Sequence, residues 1–152
     1  MIAAIQRVSN AEVKIDDKVY SSIGAGLLVL LGIKKGDTEN ELKYIAKKIT
    51  EIRIFADEND KMNLNIKDMD GEIMLISQFT LCADTQKSGN RPSFISAEKP
   101  EIAEILYEKT KSELANLYKS EKIKCGVFAA KMDISLTNTG PVTIILEKNF
   151  YE

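Results

Sequence analysis

The run LLVLLGI, residues 27 to 33, carries no hydrogen-bonding side chain. It is too short for a membrane span and follows two turn-favouring glycines, Gly24 and Gly26. A run of this kind reads as a strand covered on both faces. The chain must therefore supply apolar cover from two sides, and the other segments can be read for what they supply.

AEVKI (11–15) alternates apolar Ala11, Val13 and Ile15 with charged Glu12 and Lys14, the pattern of a strand with one face in a core. Asp16-Asp17-Lys18 predicts a turn into Val19-Tyr20. The period then changes. Thr38-x-x-Glu41 is a capping-box signature, and Leu42, Ile45, Ala46, Ile49 and Ile52 follow at helical spacing. This helix should end near Arg53. MNLNI (62–66) alternates again. Asp70-Gly71 signals a turn before EIMLISQFTL (72–81), and the two segments are expected to form a wide hairpin. KSGNRPSF (87–94) reads as a loop in which Arg91 is placed to meet an anion. Pro100 suits the first turn of a second helix, with Ile102, Ile105, Leu106, Leu114 and Leu117 as its apolar face, ending near Tyr118 or Lys119. KMDISLTN (131–138) and VTIILE (142–147) read as two strands joined by Asn138-Thr139-Gly140-Pro141. The expected architecture is a single α+β domain over 1–152, rich in antiparallel strands, with two main helices.

Of 152 residues, 44% are hydrophobic and 29% charged, which fits a globular chain and argues against disorder. No apolar run reaches the length of a membrane helix, and the first residues lack the pattern of a signal peptide. A formal net charge of −2 is not the footprint of a protein that grips long nucleic acid. The lysine clusters at 47–48 and 119–124 read first as solvated faces. Cys82 and Cys125 have no histidine to join them, so a zinc site is not expected. Reduced thiols are favoured over a disulfide, which the sequence leaves open.

SQFTL (77–81) carries two hydroxyls, Ser77 and Thr80. A hydroxyl becomes a nucleophile when a base takes its proton, and histidine is the usual base. The chain has none. Read as plain strand, the segment would put Phe79 and Leu81 in the core and turn Ser77 and Thr80 to opposite faces. Gly140-Pro141, at the start of an apolar strand, presents bare carbonyls and a stiff ring; from the residues alone a plain turn is the favoured reading. Asp84 and Asp133 have no partner by spacing, and no glycine-rich phosphate loop is present.

MIAAIQRV, GAGLLVLLGI, RIFADENDKMNLNI, SQFTL, RPSF and NTGPV, in that order from Met1 to about Glu147, resemble the D-aminoacyl-tRNA deacylase family. SQFTL and NTGPV match its two signature motifs. Thr139 departs from the pattern, standing where many members have an acidic residue. The resemblance implies a cytoplasmic homodimer with a barrel-like core. It implies hydrolysis of the ester between a D-amino acid, or glycine, and the 3′ CCA end of tRNA, with L-aminoacyl esters spared. Neither cofactor, metal, DNA nor membrane is implied. Carried over, Ser77, Gln78, Phe79 and Thr80 would line the catalytic pocket. Gly140-Pro141 would be a cis pair inserted into the partner's site, oriented by Arg7 across the dimer, and Phe128 and Met132 would form nearby wall. With no base available, backbone N–H groups near Phe79 and Thr80 would stabilise the oxyanion. Thr80 would then be a pocket residue and not a nucleophile. A binding module without catalysis, and a trans Gly-Pro pair that admits small L-amino acids, are the alternatives.

Overall fold

The computed structural model describes residues 1–87 and 89–151. Ser88, within the loop expected over 87–94, and Glu152, at the end of the expected domain, lie outside the described residues.

The strands are β1 (Ile2–Ile15), β2 (Lys18–Ile23), β3 (Gly26–Gly32), β4 (Phe55–Ala56), β5 (Met62–Leu64), β6 (Glu72–Ser77), β7 (Ile123–Cys125) and β8 (Asp133–Glu147); the helices are α1 (Glu39–Glu51) and α2 (Pro100–Leu117). β1 organises the sheet. Its first half pairs antiparallel with β3, its second half with β2, and its other edge with β8 along nearly its whole length. Asp16 and Asp17 both have positive φ, 51° and 62°, which closes the β1–β2 hairpin with the twist that adjoining strands require.

β3 and β6 pair in parallel, as do β6 and β7. The sheet is therefore mixed, and the expected hairpin between 62–66 and 72–81 does not form. β5 pairs with β4 in a separate two-stranded ribbon. An apolar strand such as Ile73–Ile76 is buried on both faces and looks the same whichever way its neighbour runs.

LLVLLGI is covered as its composition demands. Leu27, Val29 and Leu31 pack into one cluster with Ile5, Ile45 and Ile49, while Leu28 packs into a second with Val8, Val13, Met74 and Ile76. α1 begins with the expected capping box. The Thr38 N–H donates to Glu41 Oε2 at 2.7 Å, and the Thr38 hydroxyl accepts from the Asn40 N–H. Such a cap contributes about 1 kcal/mol. α2 starts at Pro100 and ends at Leu117, as expected, but its buried face is Leu106, Tyr107, Thr110 and Leu114. Ile102 and Ile105 are exposed. The helix turns Tyr107 inward because its hydroxyl finds the Leu75 carbonyl at 2.7 Å, and Thr110 satisfies its own hydroxyl on the Leu106 carbonyl. Cys82 and Cys125 are both free thiols, so the disulfide is not present. Among the described residues, no helix is long and apolar enough to cross a membrane.

One end of the domain is tied by buried charge. The Met1 ammonium donates to Asp37 Oδ1 at 2.7 Å and to the Lys148 carbonyl at 2.9 Å; Asp37 also accepts from the Lys34 N–H and the Tyr151 hydroxyl. Glu41 Oε1 takes the Phe150 N–H at 2.7 Å. Burial alone would raise the Glu41 carboxyl, but these hydrogen bonds from Phe150 and Thr38 outweigh it and hold its pKa at about 2.

Candidate active site

Strand β6 stops at Ser77, and the chain tightens into a 3-10 turn over Phe79–Cys82. The expected strand through Leu81 is therefore broken inside SQFTL. The cause is visible in the hydrogen bonding. The Gln78 N–H still donates to the Leu31 carbonyl at 2.8 Å, the last bond on the β3 side, and the Gln78 carbonyl then accepts from the Leu81 N–H. Phe79 is released from the core and is 57% exposed, against the expectation for a plain strand. It meets Phe94 edge to face, with ring centres 5.2 Å apart.

A cavity of about 700 Å³ opens beside this turn. Ser77, Gln78 and Phe79 line one side, and Phe128, Ala129, Ala130 and Met132 the other. The second side is the segment between β7 and β8. Ala129 takes positive φ, 63°, and the Ala130 N–H donates to the Val127 carbonyl. At Gly126 a Cβ would lie 2.5 Å from the Met132 sulfur, so a side chain there would push Met132 from its place in the wall. Phe128 rests against the Tyr107 ring at 5.9 Å, so α2 backs the cavity wall through the same tyrosine that anchors β6. Burial raises the pKa of the Tyr107 hydroxyl and of both thiols, which favours their protonated, neutral forms.

Thr80 is exposed and does not line the cavity. Its hydroxyl accepts a hydrogen bond from the Gln78 amide, a group that cannot remove its proton. The charged residues on the lining are Lys35, Glu98 and Lys99, at the edge where α2 begins. Phe94, Ile95 and Glu98 were not legible as site residues, because loop composition does not say which cavity a loop will wall.

Gly140 and Pro141 lie elsewhere. They are not on the lining of their own chain's cavity, and both are exposed. The two expected strands form one, β8, interrupted in register: Gln6 faces Thr143 and Val8 faces Asn138, so Thr139 to Val142 bulge out opposite the single position Arg7. The bulge reconciles a turn-like sequence with continuous pairing on both sides. The Gly140-Pro141 bond is cis. Gly140 has φ of 137°, in the region that favours glycine, and a Cβ there would meet Arg7 Nη2 at 2.9 Å. Arg7 Nε donates to the Thr139 carbonyl at 2.9 Å, and its Nη1 to the Ile54 carbonyl at 2.7 Å. Arg7 thus fixes the bulge of its own chain. Asn138, which sequence reasoning passed over, closes the base: its Oδ1 accepts from the Val142 N–H at 2.7 Å, and its amide donates to the Val142 carbonyl. An asparagine two residues before Gly-Pro was the available signal.

The model of the family described as D-Tyr-tRNA(Tyr) deacylase matches residues 4–147. The chain belongs to that family. It is 49% identical over 147 residues to a D-aminoacyl-tRNA deacylase of Flavobacterium psychrophilum, covering 97% of each chain. It is 51% identical over 148 residues to one from Histophilus somni, covering 96% of this chain and 99% of the relative. Among solved structures, a "c-Myc DNA Unwinding Element Binding Protein" superposes with a TM-score of 0.93 at 41% identity, covering 98% of this chain and 99% of the other. A "probable eukaryotic D-amino acid tRNA deacylase" superposes with a TM-score of 0.79 at 14% identity over 95% of this chain, a likeness of fold. The family thus fits the mixed sheet with two helices described above.

Proposed function

We propose that this protein is an ester hydrolase that removes D-amino acids from the 3′ end of tRNA, as family membership over nearly the whole chain supports. The cavity between SQFTL and the 126–132 segment holds the aminoacyl ester and the terminal adenosine. Water attacks the ester carbonyl carbon, the carbonyl oxygen takes up negative charge, and collapse expels the ribose oxygen, which takes a proton. Free amino acid and tRNA result. The chemistry needs an oxyanion site more than a strong base, because an aminoacyl ester is already activated and its ribose offers a neighbouring hydroxyl.

One observation carries the backbone version of this mechanism: SQFTL turns into a 3-10 helix whose first residue is Phe79. The first N–H groups of a helical turn have no partner within it, so Phe79 and Thr80 offer theirs at the end of β6. One well-placed donor is worth on the order of 3 kcal/mol in the transition state. The Thr80 hydroxyl, held by the Gln78 amide and off the cavity lining, is not a nucleophile in this reading.

The chirality filter is assigned to the Thr139–Val142 bulge, acting in a homodimer. The tip is exposed, carries no long side chain and is fixed at its base by Arg7 and Asn138. Entering the cavity of a second copy, it would leave no room for an L side chain, while glycine and D residues fit. Rejection by a clash discriminates mirror images better than attraction can, since both bury similar area. Edge strand β8 carries the bulge together with Ile145, 57% exposed, a surface suited to the second copy. Cytoplasmic residence follows from the substrate.

The test is hydrolysis of D-tyrosyl-, L-tyrosyl- and glycyl-tRNA with a chelator present, together with sedimentation of the free protein. Loss of the D and glycyl esters with the L ester intact, from a dimer, is expected. A monomer with the same selectivity would remove the cross-subunit filter. The second reading, nucleic-acid binding without hydrolysis, is favoured by the name of the 41%-identical structure. It takes the lead if no ester is cleaved yet tRNA or duplex DNA is retained.

A further inference from the structure

We infer that a small polar groove behind the catalytic cavity binds the penultimate nucleotide of the tRNA 3′ end, a cytidine read by its base edge. This rests on the deacylase reading above.

The groove has a volume of about 330 Å³ and is lined by Lys34, Cys82, Asp84, Thr85, Gln86 and Ser96, among others. It shares a wall with the catalytic cavity. Lys34 bridges Ala97, the Lys35 N–H donates to the Ser96 carbonyl at 2.9 Å, and the Glu98 N–H to the Ile33 carbonyl at 2.9 Å. This short ladder alternates as extended chains do. Ile33, Lys35, Ile95 and Ala97 line the large cavity, while Lys34 and Ser96 line the groove. The SQFTL turn divides in the same way, Phe79 to the cavity and Cys82 to the groove. The two spaces are therefore neighbours across a wall one pair of extended segments thick.

Their chemistry differs. The cavity offers Phe79, Phe94, Ile95, Phe128 and Met132. The groove offers a carboxylate, an amide, two hydroxyls and an ammonium. An apolar acyl group has nothing to gain there, but a nucleobase edge with a donor and acceptors does. The ammonium of Lys34 is already paired with Glu147, and that of Lys87 with Asp84, so no free cation is left in the groove among the described residues and the lining suits a neutral base better than a bare phosphate. Cytosine presents an amino donor that a carboxylate accepts, and acceptors that an amide can meet. One Asp84 oxygen takes the Gln86 N–H at 3.0 Å and the other lies 3.6 Å from the Lys87 ammonium; each carboxylate oxygen can accept more than one hydrogen bond, so acceptor capacity is left on this half-buried side chain. Single-stranded RNA is read in this way, on the exposed edges of unstacked bases. With the terminal adenosine in the cavity, the next nucleotide must leave past its rim, and the groove lies on the other side of that rim.

The test compares kcat/KM for D-tyrosyl-tRNA with that for the 3′ D-tyrosyl ester of adenosine, which lacks the penultimate nucleotide. In Gln86→Ala the ratio of the two should fall by about tenfold, as expected for one or two lost hydrogen bonds, and the change should lie in KM. Thr85→Val should lower it by a smaller factor. Wild-type protein given tRNA ending in CUA should lose a factor like that of Gln86→Ala. An unchanged ratio in both variants, with CUA and CCA ends cleaved alike, overturns the groove. So do equal losses on both substrates, which would mean that Gln86 acts by shaping the turn. Wild-type protein that cleaves neither ester overturns the deacylase reading itself, and the groove with it.

Discussion

Around Glu41 polar groups are buried and committed. Its carboxylate takes the Thr38 and Phe150 N–H groups, and neighbouring Asp37 takes the Met1 ammonium and the Tyr151 hydroxyl. Around Phe79 the lining is mostly apolar, an aromatic ring faces solvent, and the nearby hydroxyl has only an amide for company. The most perturbed carboxylate described thus lies in the end-tie of the domain, away from the cavity. A strongly shifted pKa is often taken as a sign of catalysis, but a structural hydrogen-bond network shifts one just as well. In this chain the region with the shifted acid holds the fold, and the region without one is the proposed reaction site. Titratable groups and reactivity are separate properties here.

The largest expected effect comes from Gly140→Ala. A Cβ at a φ of 137°, pressed on Arg7 and Val142, displaces the bulge tip. The preference for D-tyrosyl- over L-tyrosyl-tRNA should fall about a hundredfold, since rejection by a clash depends on the tip's position to about 1 Å. The melting temperature should drop by only a few degrees, because the strain falls on an exposed bulge. Wild-type selectivity in this variant would break the division between the two regions.

Glu41→Gln should do the reverse. Glutamine cannot accept on both ends, so the cap or the Phe150 contact is lost. A destabilisation of about 2 kcal/mol is expected in urea, with deacylation at 25 °C changed less than about twofold. The sign with pH is set by the depressed pKa. The folded carboxyl titrates at about 2 against an ordinary 4.5, so its stabilisation is complete above pH 4.5 and is lost as the pH falls toward 2. The full loss is about 3 kcal/mol in wild type, and Glu41→Gln should flatten that part of the curve. An unaltered acid limb would mean that other carboxylates govern it.

Phe79→Ala should lower kcat/KM by about tenfold through lost ring contact, with stability nearly unchanged because the ring is exposed. Thr80→Ala is the smallest effect, about threefold, for loss of the Gln78 hydrogen bond. Activity near zero in Thr80→Ala, or a trapped threonyl ester, would restore the nucleophile and sharpen the comparison against the backbone mechanism.

Legibility in the sequence followed the range of the interactions. The capping box at Thr38 and Glu41, both helix ends and the doubly covered strand 27–33 are local patterns, and they formed as read. The second partner of Glu41, Phe150, lies far along the chain and leaves no local mark. The parallel pairing of β6 with β3 was missed because strand direction is not written into an apolar run. SQFTL and NTGPV both read as possible regular strand or turn, and both are places where a strand is broken: one by a 3-10 turn, the other by a bulge. Periodicity marks neither break, and the two quoted motifs coincide with them. Phe94, Ile95 and Glu98 reach the cavity only through a fold-level juxtaposition with the 33–35 segment.

The bond that fixes the bulge runs from Arg7 to the carbonyl oxygen of residue 139. A peptide oxygen is blind to the side chain on its own residue, so this position can drift in evolution without moving the tip. That is why the side chain at 139, a threonine here, is free of the clasp beneath it. It also makes 139 an attachment point: a reporter on Thr139→Cys would ride beside the tip and sense its entry into a second copy, while the clasp beneath it stays as it is.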